Sequence, residues 1–386
     1  MKVAQHVLNL IDKDLAGTAH EGEALSVYTH FLSTGEKFLH VKGSTYEEIS
    51  KEGWFLGAKN APKFRFIDLF AGIGGFRLGL QNHGGKAVFS SEWDRQARET
   101  YFKNHRDYPF GDINFFTNED VSDNELQGLI PDHDVLAAGF PCQPFSKAGV
   151  SARLARGLAH GFECKTQGTL FFSIERIARV KRPKILFLEN VKNLVGHDKG
   201  QTFEIIKESI ESLGYKFFWQ LMDSQTLVPQ RRIRCFMIAV EESLAGERGD
   251  FCFPKLPEDP IPLSSALDTN PDPSYTISER LWEGHQKRTK RNRERGVGFT
   301  ALVADVTKPS NTIVARYGKD GKECLVPQTD KPPRYLTIPE CRRLFGYPET
   351  FVLPNKRTPA YRLLGNSVVL PVVDKLAAAI AQQYLS

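Results

Sequence analysis

Three stretches of this chain carry residues whose types and spacing could do chemistry. The first is AGFPCQPFS at 138–146, where Cys142 stands between Pro141 and the pair Gln143-Pro144. Proline removes a backbone donor and fixes φ, so the apolar run at 134–138 cannot continue through it as a strand. Cys142 is therefore expected on a stiff loop at the carboxyl end of a strand, the edge of an open α/β sheet where ligands bind. A thiol there can act as a nucleophile, or it can be a small buried side chain. The second stretch is FIDLFAGIGGF at 66–76. A strand running into Gly72, Gly74 and Gly75 lets the backbone turn sharply and approach a ligand closely. Glu92 follows twenty residues after Gly72, where a carboxylate meets ribose hydroxyls in dinucleotide folds. Trp93 beside it offers a flat face for a base, and Asp112 could meet the base edge. Phe76 and Arg77 follow Gly75, so the G-x-G-x-x-G spacing fails. A nucleoside cofactor without a pyrophosphate, S-adenosylmethionine, fits these residues better than NAD. The third stretch is QKRTKRNRERG at 286–296, with six Lys or Arg and one Glu. It is either a solvated helix face or a phosphate-tracking surface.

These residues need a sheet to position them. Strands are expected at 64–69, 87–91, 134–138, 184–189 and 234–240, with a helix over 170–180 between two of them. Strands alternating with helices predict an α/β fold, a mostly parallel sheet with helices on both faces. Residues 241–332 break that rhythm with Pro clusters, the basic run and turn signals, as an inserted recognition region would. Val369, Val372, Val373, Leu376 and Ile380 form the stripe of a closing amphipathic helix. Residues 1–60 read as a separate helical extension. Val3, Val7, Leu10 and Ile11 mark a first helix, 25–39 a second, and Ser44 with Glu47 a capping box opening a third. The expected domains are 1–60, 61–240, 241–332 and a return to the catalytic part over 333–386.

Length and composition set the class. The chain has 386 residues, 41% hydrophobic and 25% charged, which suits a globular protein with a large core. No apolar run reaches the length of a membrane span and the amino terminus lacks an apolar signal core, so a cytosolic location is expected. The six cysteines form no C-x-x-C pair and the ten histidines show no ligand spacing, so no metal is expected. The net charge of +5 is mild, but the basic run concentrates it.

Together these motifs resemble the DNA cytosine-5 methyltransferase family. FIDLFAGIGGF resembles its first motif and GFPCQPFS its nucleophile loop. GTLFF at 168–172, Glu189-Asn190-Val191, VPQRRIR at 228–234, LTIPECRRLFGYP at 336–348 and GNSVVLPV at 365–372 follow in the family order. The stretches 147–172, 189–203 and ARYGKDG at 315–321 resemble the bacterial Dcm and EcoRII-type branch, whose substrate is CCWGG methylated on the inner cytosine. Ile233 stands where the family usually has Glu, and Leu363 where it usually has Gln.

The resemblance implies a Rossmann-like, S-adenosylmethionine-dependent fold with a smaller target-recognition domain. It implies Cys142 as the nucleophile that adds to carbon 6, Glu189 as the group meeting N3, Arg234 holding the base's O2, and Arg232 steadying the flipped nucleotide or a phosphate. It implies a cofactor pocket of Asp68, Phe70, Ala71, Gly72, Gly74, Gly75, Glu92, Trp93, Asp112, Ile113, Pro141, Leu170, Asn366 and Ser367. For double-stranded DNA it implies Gln143, Ser146, Lys287, Arg288, Lys290 and Arg291, with Arg316 and Lys319 reading bases. It further implies a monomer in a bacterial cytoplasm, associated with the nucleoid through DNA, and a companion restriction endonuclease. Competing expectations are an RNA cytosine-5 methyltransferase, a DNA-binding regulator without catalysis, and a nicotinamide oxidoreductase. The first 60 residues could also regulate transcription.

Overall fold

The computed structural model describes residues 5–17, 21–26, 28–29, 62–141, 170–296, 301–321 and 324–386. Cys142, Gln143, Ser146, Cys164, Val3, Ser44, Glu47 and most of the expected second helix lie outside them. The chain divides into two compact units. One comprises Met1–Met222, Arg234–Phe253 and Leu376–Ser386; the other comprises Asp223–Ile233 and Pro254–Lys375. These limits differ from the expected breaks near 60, 240 and 333.

The first unit is built on six strands, β1 Phe64–Leu69, β2 Gly85–Ser91, β3 Val135–Gly139, β4 Ile185–Val191, β5 Tyr215–Asp223 and β6 Ile233–Glu241, in the order β2-β1-β3-β4-β6-β5. β2, β1, β3 and β4 run parallel, and β6 returns antiparallel to β4. The sheet is thus mixed but mostly parallel, as the alternating pattern requires. β5 is the strand that the pattern missed. It is the edge strand, with Trp219 and Leu221 exposed, so it shows neither clean alternation nor a buried run.

Burial in β1, β3 and β4 is nearly continuous, so both sheet faces are covered. Ile67, Leu69, Leu136, Ala138, Leu186 and Leu188 face one core cluster. That cluster includes helices α1 Gln5–Leu15, α2 Asp123–Leu129, α3 Leu170–Lys181 and α4 Gln201–Ser212 through their buried residues. The alternate residues, Phe66, Asp68, Ala137 and Phe187, point to the other face, where Phe187 meets the ring of Phe76 edge-on at 4.8 Å. Helices Gly75–Asn82 and Arg95–His105 flank β2 in sequence.

Residues 5–15 are not a separate body. Val7, Leu8, Ile11 and Leu15 belong to the same core cluster as Phe110, Ile113 and Phe116. Their helical apolar stripe is short, and burying it against the sheet layer is what stabilises it.

The second unit carries the basic helix Glu279–Glu294, the short helix Ile338–Leu344 with a capping box between Thr337 and Glu340, and the helix Arg357–Asn366. The final helix, Leu370–Tyr384, begins in this unit and ends in the first. Its stripe Val369, Val372, Val373, Leu376 and Ile380 is buried, as expected. The stretch Arg357–Tyr384 is long and apolar enough to cross a membrane by length and composition alone, contrary to the expected absence of such a run. It contains a helix break, and 67% of its apolar window is buried inside the protein, as in a core helix.

Candidate active site

The glycine-rich turn leaves β1 through Phe70 and Gly72, both with φ 55. That left-handed backbone is ordinary for Gly72 and unfavourable for Phe70. Gly74, at φ 89, opens the helix Gly75–Asn82 as its N-cap. A Cβ there would lie 2.1 Å from Nε2 of His105, so only glycine fits. His105 Nε2 donates to the Ile73 carbonyl at 3.1 Å, and burial holds its pKa down at about 3. Arg77 adds to that depression. The neutral imidazole thus supports the turn from beneath. Arg77 itself is buried, pairs with Asp107 at 2.5 Å and donates to the Tyr101 hydroxyl at 3.2 Å. The Phe76-Arg77 pair that spoils the dinucleotide spacing therefore roots the turn in the core. This polar footing was not foreseen; the buried Arg after the glycines was its only sequence signal.

Glu92 closes the turn. Its Oε2 accepts from the Gly72 N–H at 2.8 Å and its Oε1 from the Asp94 N–H at 2.7 Å. A carboxylate has about four acceptor positions, so two remain for hydroxyls of a ligand. Burial raises its pKa; the two N–H groups oppose the rise. Trp93, next in sequence, is 77% exposed, so its ring face is open. The segment 110–112 runs beside the end of β2: Phe110 N donates to Ser90 O and Glu92 N to Phe110 O, each at 2.8 Å. Asp112 is half-buried and accepts from Asn114 N, whereas Ile113 is a core side chain and can offer a ligand only its backbone. Ala71 is held by its N–H to Ser91 O at 3.0 Å.

Asp68 lies just below the turn, fully buried, and its carboxylate oxygens make no hydrogen bond of good geometry; the Arg77 backbone N–H is the donor that acts on it. Burial pushes its pKa well above the usual range; Arg77 opposes the rise, while Glu92 and Asp107 add to it. A buried carboxyl so poorly satisfied is costly to hold. A cationic group of a ligand would relieve it. With the glycine cradle, the ribose-type acceptor Glu92 and the open indole of Trp93, these residues fit S-adenosylmethionine.

The second group lies on the next two strands. Glu189 sits at the carboxyl end of β4, paired in register with Gly139 and Phe236. A Cβ on Gly139 would stand 3.4 Å from Glu189 Oε2, so the missing side chain leaves room for the carboxylate. Arg234 on antiparallel β6 reaches it, Nε to Oε1 at 3.1 Å. Burial lowers the Arg234 pKa, and Glu189 partly restores it. Asn190, buried, donates to the Phe140 carbonyl at 2.9 Å and accepts from the Val191 N–H at 2.8 Å. Phe140 and Pro141 are the last described residues before Cys142. Asn190 is thus a residue of the site that the motif contained but chemistry alone did not single out. Cys235 beside Arg234 is buried, and burial pushes its thiol up to about 12. Leu170, half-buried, opens helix α3.

The second unit holds the other predicted residues. Arg232 is only 3% exposed and donates to the carbonyls of Ile313, Gly365 and Ser367 at 2.8–2.9 Å, with Phe345 under its guanidinium. These bonds tie it into the fold of this unit. Ser367 is buried against Tyr347 at 2.6 Å, and Asn366 is exposed. In ARYGKDG, Tyr317 is buried and its hydroxyl donates to Cys324 O while accepting from Leu336 N. That anchor presents Arg316 and Lys319 on the surface. A Cβ on Gly365 would lie 2.3 Å from Ala315 N, so the GNS motif packs directly against this turn. Lys287, Arg288, Lys290 and Arg291 are exposed on the basic helix.

The family model for C-5 cytosine-specific DNA methylase matches residues 64–382. Type II methyltransferase M.NlaX of Neisseria lactamica is 44% identical over 319 residues, 81% of this chain and 95% of that protein. Type II methyltransferase M.SsoII of Shigella sonnei is 42% identical over 321 residues, 82% of this chain and 80% of the other. The DNA-cytosine methyltransferase of Escherichia coli (strain K12) is 39% identical over 365 residues, 81% of this chain and 76% of the other. Among solved structures, S. pombe Dnmt2 methyltransferase superposes with a TM-score of 0.60 at 18% identity, covering 83% of this chain and 98% of that one. That likeness shows the fold. With the motif order, the sheet and 319 matched positions behind it, the chain belongs to the C-5 cytosine-specific DNA methylase family.

Proposed function

We propose that this DNA cytosine-5 methyltransferase acts on a cytosine flipped out of duplex DNA, that Cys142 is its nucleophile, and that its target is the inner cytosine of CCWGG. The observation that carries the mechanism is the Glu189–Arg234 pair at the carboxyl edge of the sheet, beside the glycine that precedes the Cys142 loop. Cytosine carbon 5 is a poor nucleophile, and its atoms are hidden in the stack. A thiolate adding to carbon 6 turns the ring into an enamine that is nucleophilic at carbon 5; once carbon 5 is methylated, loss of its proton to a base expels the thiolate and restores the ring. Glu189 meets N3 of the base and Arg234 holds O2, where negative charge develops. Asn190 fixes the carbonyl of Phe140 and so the entry of the Cys142 loop.

Bound in the glycine turn, S-adenosylmethionine supplies an electrophilic methyl group. Glu92 would hold its ribose, Trp93 and Asp112 its adenine, and Asp68 its ammonium group. Pro141, Leu170, Asn366 and Ser367 remain in the proposed pocket by resemblance. Gln143 and Ser146 are proposed to meet the DNA beside the flipped base. Lys287, Arg288, Lys290 and Arg291 would track phosphates, which position without specifying. Arg316, with Lys319, would read guanine in the major groove. The CCWGG assignment rests on the resemblance of ARYGKDG. The names of the type II relatives suggest a companion endonuclease, and we place the enzyme in a bacterial cytoplasm as a monomer on DNA.

The test is transfer of a labelled methyl group to four short duplexes: CCWGG, CCWGG with the inner cytosines already methylated at carbon 5, CCSGG, and CCGG. Label on CCWGG alone is expected. Label on CCSGG as well means the central pair is not read; label on CCGG alone overturns the site. Labelling of transfer RNA but of no duplex would overturn the substrate class.

A further inference from the structure

We propose that the amino-terminal segment, through Asp14, is a positioning element of the cofactor pocket. It holds Arg98 away from Glu92 and braces the Gly111 turn that carries Asp112. The inference rests on the pocket reading given above. Three contacts converge on that turn. Asp14, at the end of α1, takes a two-pronged ion pair from Arg98: Nη2 reaches Oδ1 at 3.0 Å and Nη1 reaches Oδ2. Both side chains are largely buried, at 4% exposed for Arg98 and 17% for Asp14. The same carboxylate lies against Gly111, where an added Cβ would stand 2.6 Å from Oδ2. Tyr28 packs its ring on Phe110 and Phe116.

Glu92 and Asp112 both adjoin this brace: Glu92 N donates to Phe110 O at 2.8 Å, and Asp112 follows Gly111. The Gly111 carbonyl accepts from Ser91 Oγ at 2.8 Å, so displacing Gly111 disturbs the strand end that leads into Glu92. Arg98 stands one turn into the helix capped by Asp94, whose N–H donates to Glu92 Oε1, and its charge favours the ionised form of Glu92. A buried guanidinium that loses its partner must find another acid. Glu92 is the carboxylate on which it already acts, and a guanidinium bonded there would compete with ribose hydroxyls for the free acceptor positions. Asp14 therefore keeps Glu92 available, although it lies outside residues 64–382 that match the family.

The experiment compares the wild-type full chain with Asp14→Asn, Tyr28→Phe and the neutral pair Asp14→Asn with Arg98→Gln. S-adenosylmethionine binding is measured by calorimetry and methyl transfer by steady-state kinetics. Asp14→Asn is expected to raise Kd and KM for S-adenosylmethionine about five- to tenfold. KM for DNA and kcat at saturating cofactor should stay within about twofold. Tyr28→Phe loses the bond to Leu129 O, remote from the pocket, and should lower Tm without moving Kd. The neutral pair should recover cofactor affinity to within about twofold of wild type, because no stray cation remains. If Asp14→Asn does not fold, Gly111→Ala presses a methyl on the same carboxylate as well as on the Phe115 ring, and should give the same split. Unchanged cofactor Kd in the variant that folds overturns the proposal. So does a neutral pair as weak as the single variant, or a DNA KM that moves in step. A wild-type chain that binds no S-adenosylmethionine overturns the pocket reading itself, and is told apart by that control.

Discussion

Cys142, Glu92 and Asp68 put the reading to test at the level of single groups. Cys142→Ser replaces a soft nucleophile by a hydroxyl that is hardly ionised at neutral pH. Methyl transfer should fall to background while binding of duplex DNA in a gel shift persists; ordinary turnover would remove the covalent step. Glu92 and Asp68 give a pH signature. Burial raises both pKa values in the free protein. Glu92 must be ionised to accept hydroxyls fully, and Asp68 to hold an ammonium group. Protons must then leave as the cofactor binds, so affinity falls as pH drops through the raised pKa values. That loss begins above the ordinary carboxylate range of about 4. Calorimetry in buffers of different ionisation enthalpy measures the released protons. Glu92→Gln should bind weakly and release fewer. An affinity that stays flat down to the ordinary range would exclude both carboxyls from the pocket.

At the scale of elements, the parallel strands deliver the chemistry. β1, β2, β3 and β4 all end at one sheet edge, and Gly72, Glu92, Pro141 and Glu189 follow or close those ends. Asn190 links two of the ends by donating to the carbonyl before Pro141. Asn190→Ala leaves that carbonyl without its donor, a cost of about 1–3 kcal/mol. The loss falls on the Cys142 loop, so kcat should drop about tenfold while KM for S-adenosylmethionine holds. A rise in cofactor KM with kcat intact would move Asn190 to the other half of the site. β1, β3 and β4 were legible in sequence as apolar runs, but β4 continues two residues past the expected stop at Glu189, to Val191. β5 was not, since an edge strand with one wet face keeps a mixed pattern.

In the whole molecule, motifs far apart in sequence interlock within the second unit. Arg232 from VPQRRIR ties Ile313 to Gly365 and Ser367, and Gly365 packs on Ala315 beside the exposed Arg316. The turn that carries Arg316 is thus held from behind by buried groups, while Lys287, Arg288, Lys290 and Arg291 are exposed on the basic helix. These two surfaces should behave differently. Arg316→Ala should relax the choice among CCWGG, CCSGG and CCGG with little change in salt dependence. Replacing Lys287 by Ala should weaken binding to all three alike and reduce the salt slope by about 1. If Arg316→Ala leaves site preference unchanged, it does not read bases.

By itself the sequence determined the strand–helix alternation, the glycine turn and the family, because these depend on local backbone rules and short-range order. The buried stripe of the last helix was equally legible, its period being a property of neighbouring residues. Only the tertiary structure decided that Arg232 is a staple, since its three carbonyl partners lie 81–135 residues away. Only the tertiary structure joined Asp14 to Arg98 across 84 residues and drew the first helix into the main core. A charged residue's partner is chosen by packing in space, and no local pattern in the chain encodes it.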